Sequence, residues 1–171
     1  FRHIRFSNGG DKSKLLDVKN WGNIAWTSFA SAFWGCSNFT GYTATDAPDL
    51  SGVVSFDKAF PQMPFNQDLS TWDFSNITNM STMLYQSTSF NQSLANWDIN
   101  QVTNLSNFST SVRLSTANYD ATLIGWAAQI PLSYNGTLNF GNSTYTLGGA
   151  AANARAALVS DVGAISDGGG V

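Results

Sequence analysis

A chain of 171 residues has the length of one domain and can bury a real core. Only 11% of it is charged, all eleven acids are Asp, and Lys and Arg number eight, so the formal charge is −3 and the pI is near 4.7. Scattered cations exclude the clustered Lys and Arg of nucleic-acid binding, a single histidine (His3) excludes a His-based triad or multi-His metal site, and a single cysteine (Cys36) excludes an intramolecular disulfide.

In chain order, residues 1–6 alternate apolar and polar and predict a strand. Residues 7–11 (Ser-Asn-Gly-Gly-Asp) are a turn signal. A first related segment then opens near Lys14. Its Trp21, Trp26, Phe29, Ala32, Phe33 and Phe39 precede Trp72, Ile77, Met80, Met83, Leu84 and Phe90 by a constant 51. Residues 40–49 break the pattern and read as a loop carrying Tyr42 and Pro48. A second segment places Val53, Phe56, Ala59 and Phe60 at an offset of 24 from Ile77, Met80, Met83 and Leu84, with Pro48 where the others have Trp.

The third and fourth segments are the clearest. Phe65-Asn66-Gln67-Asp68-Leu69-Ser70-Thr71-Trp72-Asp73 returns 25 residues later as Phe90-Asn91-Gln92-Ser93-Leu94-Ala95-Asn96-Trp97-Asp98. Ile77-Thr78-Asn79-Met80 returns as Val102-Thr103-Asn104-Leu105. A fixed period in this range marks a solenoid, in which each unit buries its face against its neighbours. Residues 69–73 are extended in character. Met80, Met83 and Leu84 have the spacing of one helical face, with Thr78 or Asn79 as its N-cap.

After Phe108 the pattern changes. Tyr119, Leu123, Trp126 and Ala127 predict a helical face, residues 137–140 a strand, Gly141-Asn142 a turn, residues 149–158 a helix and 162–165 a last strand. Leu138 to Ile165 is a step of 27, which predicts further strand–helix turns closing the stack. The expected fold is α/β: a leucine-rich-repeat-like solenoid with one short strand and one short helix per repeat, and an α/β cap. Residues 1–110 form the repeats, 111–167 the cap, and 168–171 the start of a linker.

The pattern F-N-Q-x-L-x-x-W-D-x-x-x-[IV]-T-N-[ML]-S-x-[MF] resembles the repeat of BspA-like leucine-rich-repeat surface proteins, abundant in mycoplasma lipoproteins and in secreted bacterial proteins. The close matches are residues 65–84 and 90–108, and with the divergent segments the resemblance covers 14–108. Residues 119–126 and 165–169 also resemble the segments commonly found C-terminal to such repeats. The resemblance implies a surface-exposed binding or adhesion protein and brings no catalytic motif with it.

Several motifs have competing readings. Trp72-Asp73 and Trp97-Asp98 invite sugar stacking, or a stacked carboxylate pair for glycoside hydrolysis. Their regular recurrence favours Trp as core and Asp as a tie to the following turn. The ladder Thr27, Val54, Thr78, Thr103 suggests an ice-binding array, but capping explains it better. No D-x-D-x-D-G calcium loop occurs. Eight N-x-[S/T] sequons follow from a Ser/Thr/Asn-rich composition. Cys36 reads as a small buried apolar residue.

The leading expectation is a non-catalytic extracellular or cell-surface module binding a protein or glycan, with no cofactor and no metal. The alternatives are a structural spacer or assembly subunit of a larger surface protein or filament, and a carbohydrate-active or ice-binding domain. No apolar run is long enough to cross a bilayer. The chain begins at Phe1 rather than Met and reads as a processed or excised piece. Contact is expected along the outward strand face, at Ser70, Thr71 and Asp73, then Ala95, Asn96 and Asp98, with Tyr42 in the adjoining loop as an aromatic anchor or as cover for the gap left at Pro48.

Overall fold

The repeated apolar positions all turn inward. Leu69, Trp72, Ile77, Met80, Met83, Leu84 and Phe90 are buried, and so are Leu94, Trp97, Val102, Leu105 and Phe108. A computed structural model describes residues 2–171; Phe1, where the predicted N-terminal strand starts, lies outside them. Most of the chain is irregular backbone wrapped around one large aromatic cluster. The regular elements are a 3-10 turn (Lys12–Lys14), helices α1 (Thr116–Ala127) and α2 (Ala150–Val162), and a parallel pair of strands, β1 (Gly136–Asn139) and β2 (Gly163–Ser166).

Across residues 15–115 neither the predicted strands nor the predicted helices form. Residues 2–6, predicted as a strand, make a single parallel bridge, His3 to Ser28. The predicted helices fail for a backbone reason. Each related segment holds two residues of positive φ four apart: Ser31 (57°) and Gly35 (83°), Lys58 (53°) and Gln62 (58°), Thr82 (57°) and Gln86 (56°), Asn107 (55°) and Ser111 (66°). A right-handed helix cannot pass through left-handed residues.

The amides divide into two sets instead. In the third segment Met83, Tyr85 and Ser87 donate three residues back to Met80, Thr82 and Leu84, at 3.2, 3.3 and 3.0 Å. The alternate amides of Met80, Thr82, Leu84 and Gln86 reach across to the carbonyls of Asn104, Ser106, Phe108 and Thr110 at 2.8–2.9 Å. Phe56, Lys58, Phe60 and Gln62 reach Asn79, Ser81, Met83 and Tyr85 in the same way. A chain of three-residue turns keeps positions i and i+3 on one side, so an apolar spacing of helical type coexists with a non-helical backbone.

The predicted capping roles change with it. The Thr27, Thr78 and Thr103 hydroxyls donate to the carbonyls of Arg2, Val54 and Thr78, each at 3.2 Å, and so tie one segment to the previous one. Asn79 and Asn104 accept the amide two residues on, from Ser81 (2.9 Å) and Ser106 (3.0 Å), forming Asx turns.

The aromatic cluster runs without a break from Trp21 to Phe140. Phe33 stacks on Phe60 at 5.2 Å, Phe60 on Phe65 at 4.7 Å, and Phe65 on Phe90 at 6.2 Å. Phe74 lies between the repeated tryptophans, 6.4 Å from Trp72 and 4.3 Å from Trp97. Trp126 carries the cluster from Phe108 (6.0 Å) to Phe140 (5.3 Å). Cys36 is fully buried and burial raises its thiol pKa to about 11, in keeping with an inert packing role.

The C-terminal third follows its periodicity. The Ser115 hydroxyl caps α1 by accepting the Asn118 amide at 3.3 Å. Tyr119, Leu123 and Trp126 are buried on one face, as predicted, and Thr122 is buried with them. β1 and β2 pair in parallel with Leu138 opposite Ile165, the 27-residue step seen in the sequence. The strands sit one residue from their predicted bounds, and α2 runs on to Val162. Residues 168–171, predicted to begin a linker, are tied to the fold: Gly168 donates to Ser143 at 2.8 Å and Val171 to Tyr145 at 2.9 Å.

Candidate binding face

The expected face divides into two groups. Tyr42 and Ser70 meet at Asp68. The Tyr42 hydroxyl donates to the Asp68 carbonyl at 2.9 Å, while the Ser70 amide and hydroxyl donate to the Asp68 carboxylate at 2.8 and 3.0 Å. Asp73 and Asp98 each turn to their own following residues. Asp73 accepts from the Ser75 amide at 3.0 Å, and Asp98 from the Asn100 amide and side chain at 3.0 and 2.9 Å. The Ser75 bonds hold the Asp73 carboxyl below the usual carboxylate range. Ser70, Thr71, Asp73, Asn96 and Asp98 are all exposed.

Tyr42 is half-buried. Its ring stacks on Trp72 at 5.9 Å and meets Trp21 edge-on at 5.7 Å, and those two tryptophans touch at 5.1 Å. The segment between them has Pro48 in place of Trp, so Trp21 and Trp72 meet directly and Tyr42 flanks the pair. Burial raises the Tyr42 phenol, the contact with Trp72 lowers it, and the nearby Asp68 charge raises it, with a net upward shift. Beside it lies a cleft of about 360 Å³ lined by Leu16, Asp17, Thr40, Gly41, Tyr42, Thr43 and Gln67. The loop is fixed by Asp17, which takes the Thr43 amide and hydroxyl at 2.8 and 2.6 Å, and by Asp46, which takes the amides of Trp21 and Gly22.

The face is bounded by α1, which packs on the backbone of residues 94–99 and leaves Ala95, expected to point outward, half-buried against Gly125 while Asn96 and Asp98 stay exposed. Thr122 Oγ1 accepts the Leu94 amide at 3.0 Å, the Trp126 indole donates to the Leu94 carbonyl at 2.9 Å, and Gln129 accepts from the Ile99 amide at 2.8 Å and donates to the Trp97 carbonyl at 2.9 Å. Gly125 permits this approach, since any side chain there would run into the Ala95 backbone. Sequence reading did not single out Thr122 or Gln129. The available signal was a polar residue at helical spacing among Tyr119, Leu123 and Trp126. Beyond α1 a polar cleft of about 630 Å³ opens between residues 103–107 and 134–137, and serine hydroxyls bridge it at both ends, Ser133 to the Asn100 carbonyl and Ser109 to the Asn139 carbonyl.

The Asn of the F-N-Q motif also has a role that sequence reading missed. The Asn66 side chain accepts the Asn91 amide at 2.7 Å, and the Asn91 side chain accepts the Ser115 amide at 2.7 Å. Asn118 donates back to the Asn91 carbonyl at 2.8 Å. Asn91→Ala orphans the capping residue of α1 and is expected to lower stability by about 1 kcal/mol, with Asn91→Asp recovering part of the loss; urea unfolding measures both.

Among the described residues no three His, Cys, Asp or Glu side chains are grouped to hold a metal ion, and no helix is long and apolar enough to cross a membrane. A family model described as "Mycoplasma protein of unknown function, DUF285" matches residues 5–121. No curated protein and no solved structure matches the chain.

Proposed function

The chain belongs to the mycoplasma protein family of unknown function DUF285, and from that premise we propose that it is a non-catalytic extracellular or cell-surface module that binds a protein or glycan. The wider architecture we propose is a solenoid of the BspA-like type, residues 1–110 forming its turns and 111–167 its cap. The observation that carries the reading is the inter-segment bonding. Backbone donors in one segment find carbonyls 23–26 residues on, as in Ser31 to Asp57, Lys58 to Ser81 and Thr82 to Ser106. A scaffold of this kind presents a rigid extended surface, and short side chains such as Ser70, Thr71 and Asn96 lose little entropy on contact. A spacer or assembly subunit is the second reading, favoured by the way Asp73 and Asp98 are already used within their own turns.

The test is capture of extracellular proteins and glycans by the purified chain, compared with Thr71→Arg and Asn96→Arg. Both side chains are exposed and make no hydrogen bond among the described residues, so both variants should melt like wild type. Loss of a specifically captured partner in both variants supports the face. Equal capture by all three proteins moves the site elsewhere, and no specific capture at all favours the spacer.

A further inference from the structure

The aromatic residues of the described chain separate cleanly. All but two belong to the buried cluster or pack against it; the exceptions are Trp34 and Tyr85. Among the described residues neither ring stacks on another aromatic, and neither the Trp34 indole N–H nor the Tyr85 hydroxyl makes a hydrogen bond. Both are half-buried and both line one apolar cleft of about 160 Å³, together with Lys58, Pro61, Gln62 and Thr82.

The placement follows from the backbone pattern. Trp34, Pro61 and Tyr85 each precede the second positive-φ residue of their segment, Gly35, Gln62 and Gln86. They are therefore the same position on three successive segments. The Gln62 amide donates to the Tyr85 carbonyl at 2.8 Å, which fixes the second and third side by side. Hydrogen-bonded neighbouring backbones lie about 5 Å apart, so the Trp34 and Tyr85 backbones stand about 10 Å apart across Pro61. Their surroundings are polar but uncharged overall. Gln62 Nε2 donates to Gln86 Oε1 at 2.9 Å, and the Lys58 ammonium is paired with Asp57 at 3.5 Å.

We infer that Trp34 and Tyr85 form the aromatic walls of a site for one sugar ring of a neutral glycan, with Gln62, Gln86 and Thr82 bonding its hydroxyls. The apolar face of a pyranose lies flat on an aromatic ring while its equatorial hydroxyls reach sideways, and amide side chains both donate and accept at that rim. The local ion pair removes the net charge that an anionic ligand would require. A proline-rich peptide also uses aromatic grooves, but a cleft of about 160 Å³ has the size of one sugar ring rather than of a peptide turn. The inference rests on the binding-module reading and names a site distinct from the Tyr42–Asp98 face.

The experiment is calorimetric titration of the whole chain with cellohexaose, chitohexaose and mannohexaose at millimolar concentration, with a decaproline peptide as a fourth probe. Saturable binding of one of the sugars is expected. Trp34→Ala and Tyr85→Ala should each weaken it by about tenfold or more, and Trp34→Phe should retain most of it. Both alanine variants should melt like wild type, because neither ring packs on the core. The site is overturned by no binding to any of the three sugars, by binding that both alanine variants retain, or by binding of decaproline alone. Partner capture that survives Trp34→Ala, alongside absent sugar binding, overturns this site while leaving the binding-module reading standing.

Discussion

Trp97→Ala is expected to destabilise the fold by about 3–5 kcal/mol and to lower the melting temperature by roughly 10 °C. Trp97 is 1% exposed and lies in the middle of the cluster. Its ring stacks on Phe74 at 4.3 Å and meets Phe108 edge-on at 6.2 Å, and Phe108 passes the contact on to Trp126 of α1. Truncation therefore opens a cavity between the segments and the C-terminal third. The polar tie at this point survives, because Gln129 bonds the Trp97 backbone carbonyl rather than its side chain. The indole N–H makes no hydrogen bond among the described residues. Trp97→Phe, which keeps a ring and removes that N–H, should cost only about 1 kcal/mol. A wild-type melting temperature for Trp97→Ala would contradict the burial.

The second large effect is at Asp167, whose side chain is 3% exposed. Its carboxylate accepts from Arg155 Nε at 2.7 Å and Nη2 at 3.2 Å, from the Tyr119 hydroxyl at 2.7 Å and from the Gly169 amide at 3.1 Å. Arg155 in turn lies over the Tyr145 ring at 5.2 Å, so one carboxylate joins α1, α2 and the C-terminal residues. Asp167→Ala leaves the buried Tyr119 hydroxyl without its acceptor and the Arg155 guanidinium with only the Ile165 carbonyl, at 3.4 Å. The expected loss is about 3 kcal/mol, the low end for a broken buried pair, because Arg155 keeps 24% of its side chain exposed.

The same group gives a pH dependence of definite sign. Burial alone would raise the Asp167 pKa, but the bonds from Arg155, Tyr119 and Gly169 outweigh it and the net shift is downward. A carboxyl lowered in the folded state adds stability that is complete above its unfolded pKa of about 3.9 and is lost as pH falls through the folded value. Unfolding free energy measured from pH 6 downward should therefore fall more steeply for wild type than for Asp167→Asn, which is already weaker at pH 6. Parallel curves would show that this carboxylate carries no linkage.

Burial at the repeated positions was legible in the sequence because it depends only on period and side-chain character. At the repeated positions of Trp72, Ile77, Met80, Leu84 and Phe90, with their partners at shifts of 24, 25 and 51, the apolar side chain turned inward. The parallel pairing of Leu138 with Ile165 was legible for the same reason, since its step matched the period. The face carrying Ser70, Thr71, Asp73, Asn96 and Asp98 was legible as exposed, because residues flanking buried Trp72 and Trp97 must point the other way. The roles at that face were less so. The turn of Asp73 to Ser75 is the role its recurrence favoured, whereas the meeting of Tyr42 and Ser70 at Asp68 depends on geometry that the repeat does not encode.

The amino-acid pattern alone thus specifies which residues are core, the spacing at which segments meet, and the two helices and parallel strand pair after residue 115. The course of the backbone between residues 15 and 115 is settled only in three dimensions. Three-residue turns and a helix both place i and i+3 on one side, and the choice between them lies with where alternate amides find their acceptors. Those acceptors are carbonyls 23–26 residues away, as from Lys58 to Ser81 and from Ser31 to Asp57. Once these bonds form, residues such as Ser31, Lys58 and Thr82 are held at positive φ, a conformation their own preferences disfavour and that no local pattern announces. The separation of Trp34 and Tyr85 from the other aromatics is of the same kind. In sequence they are two more rings among many, and only the direction of the chain at each turn sends them outward.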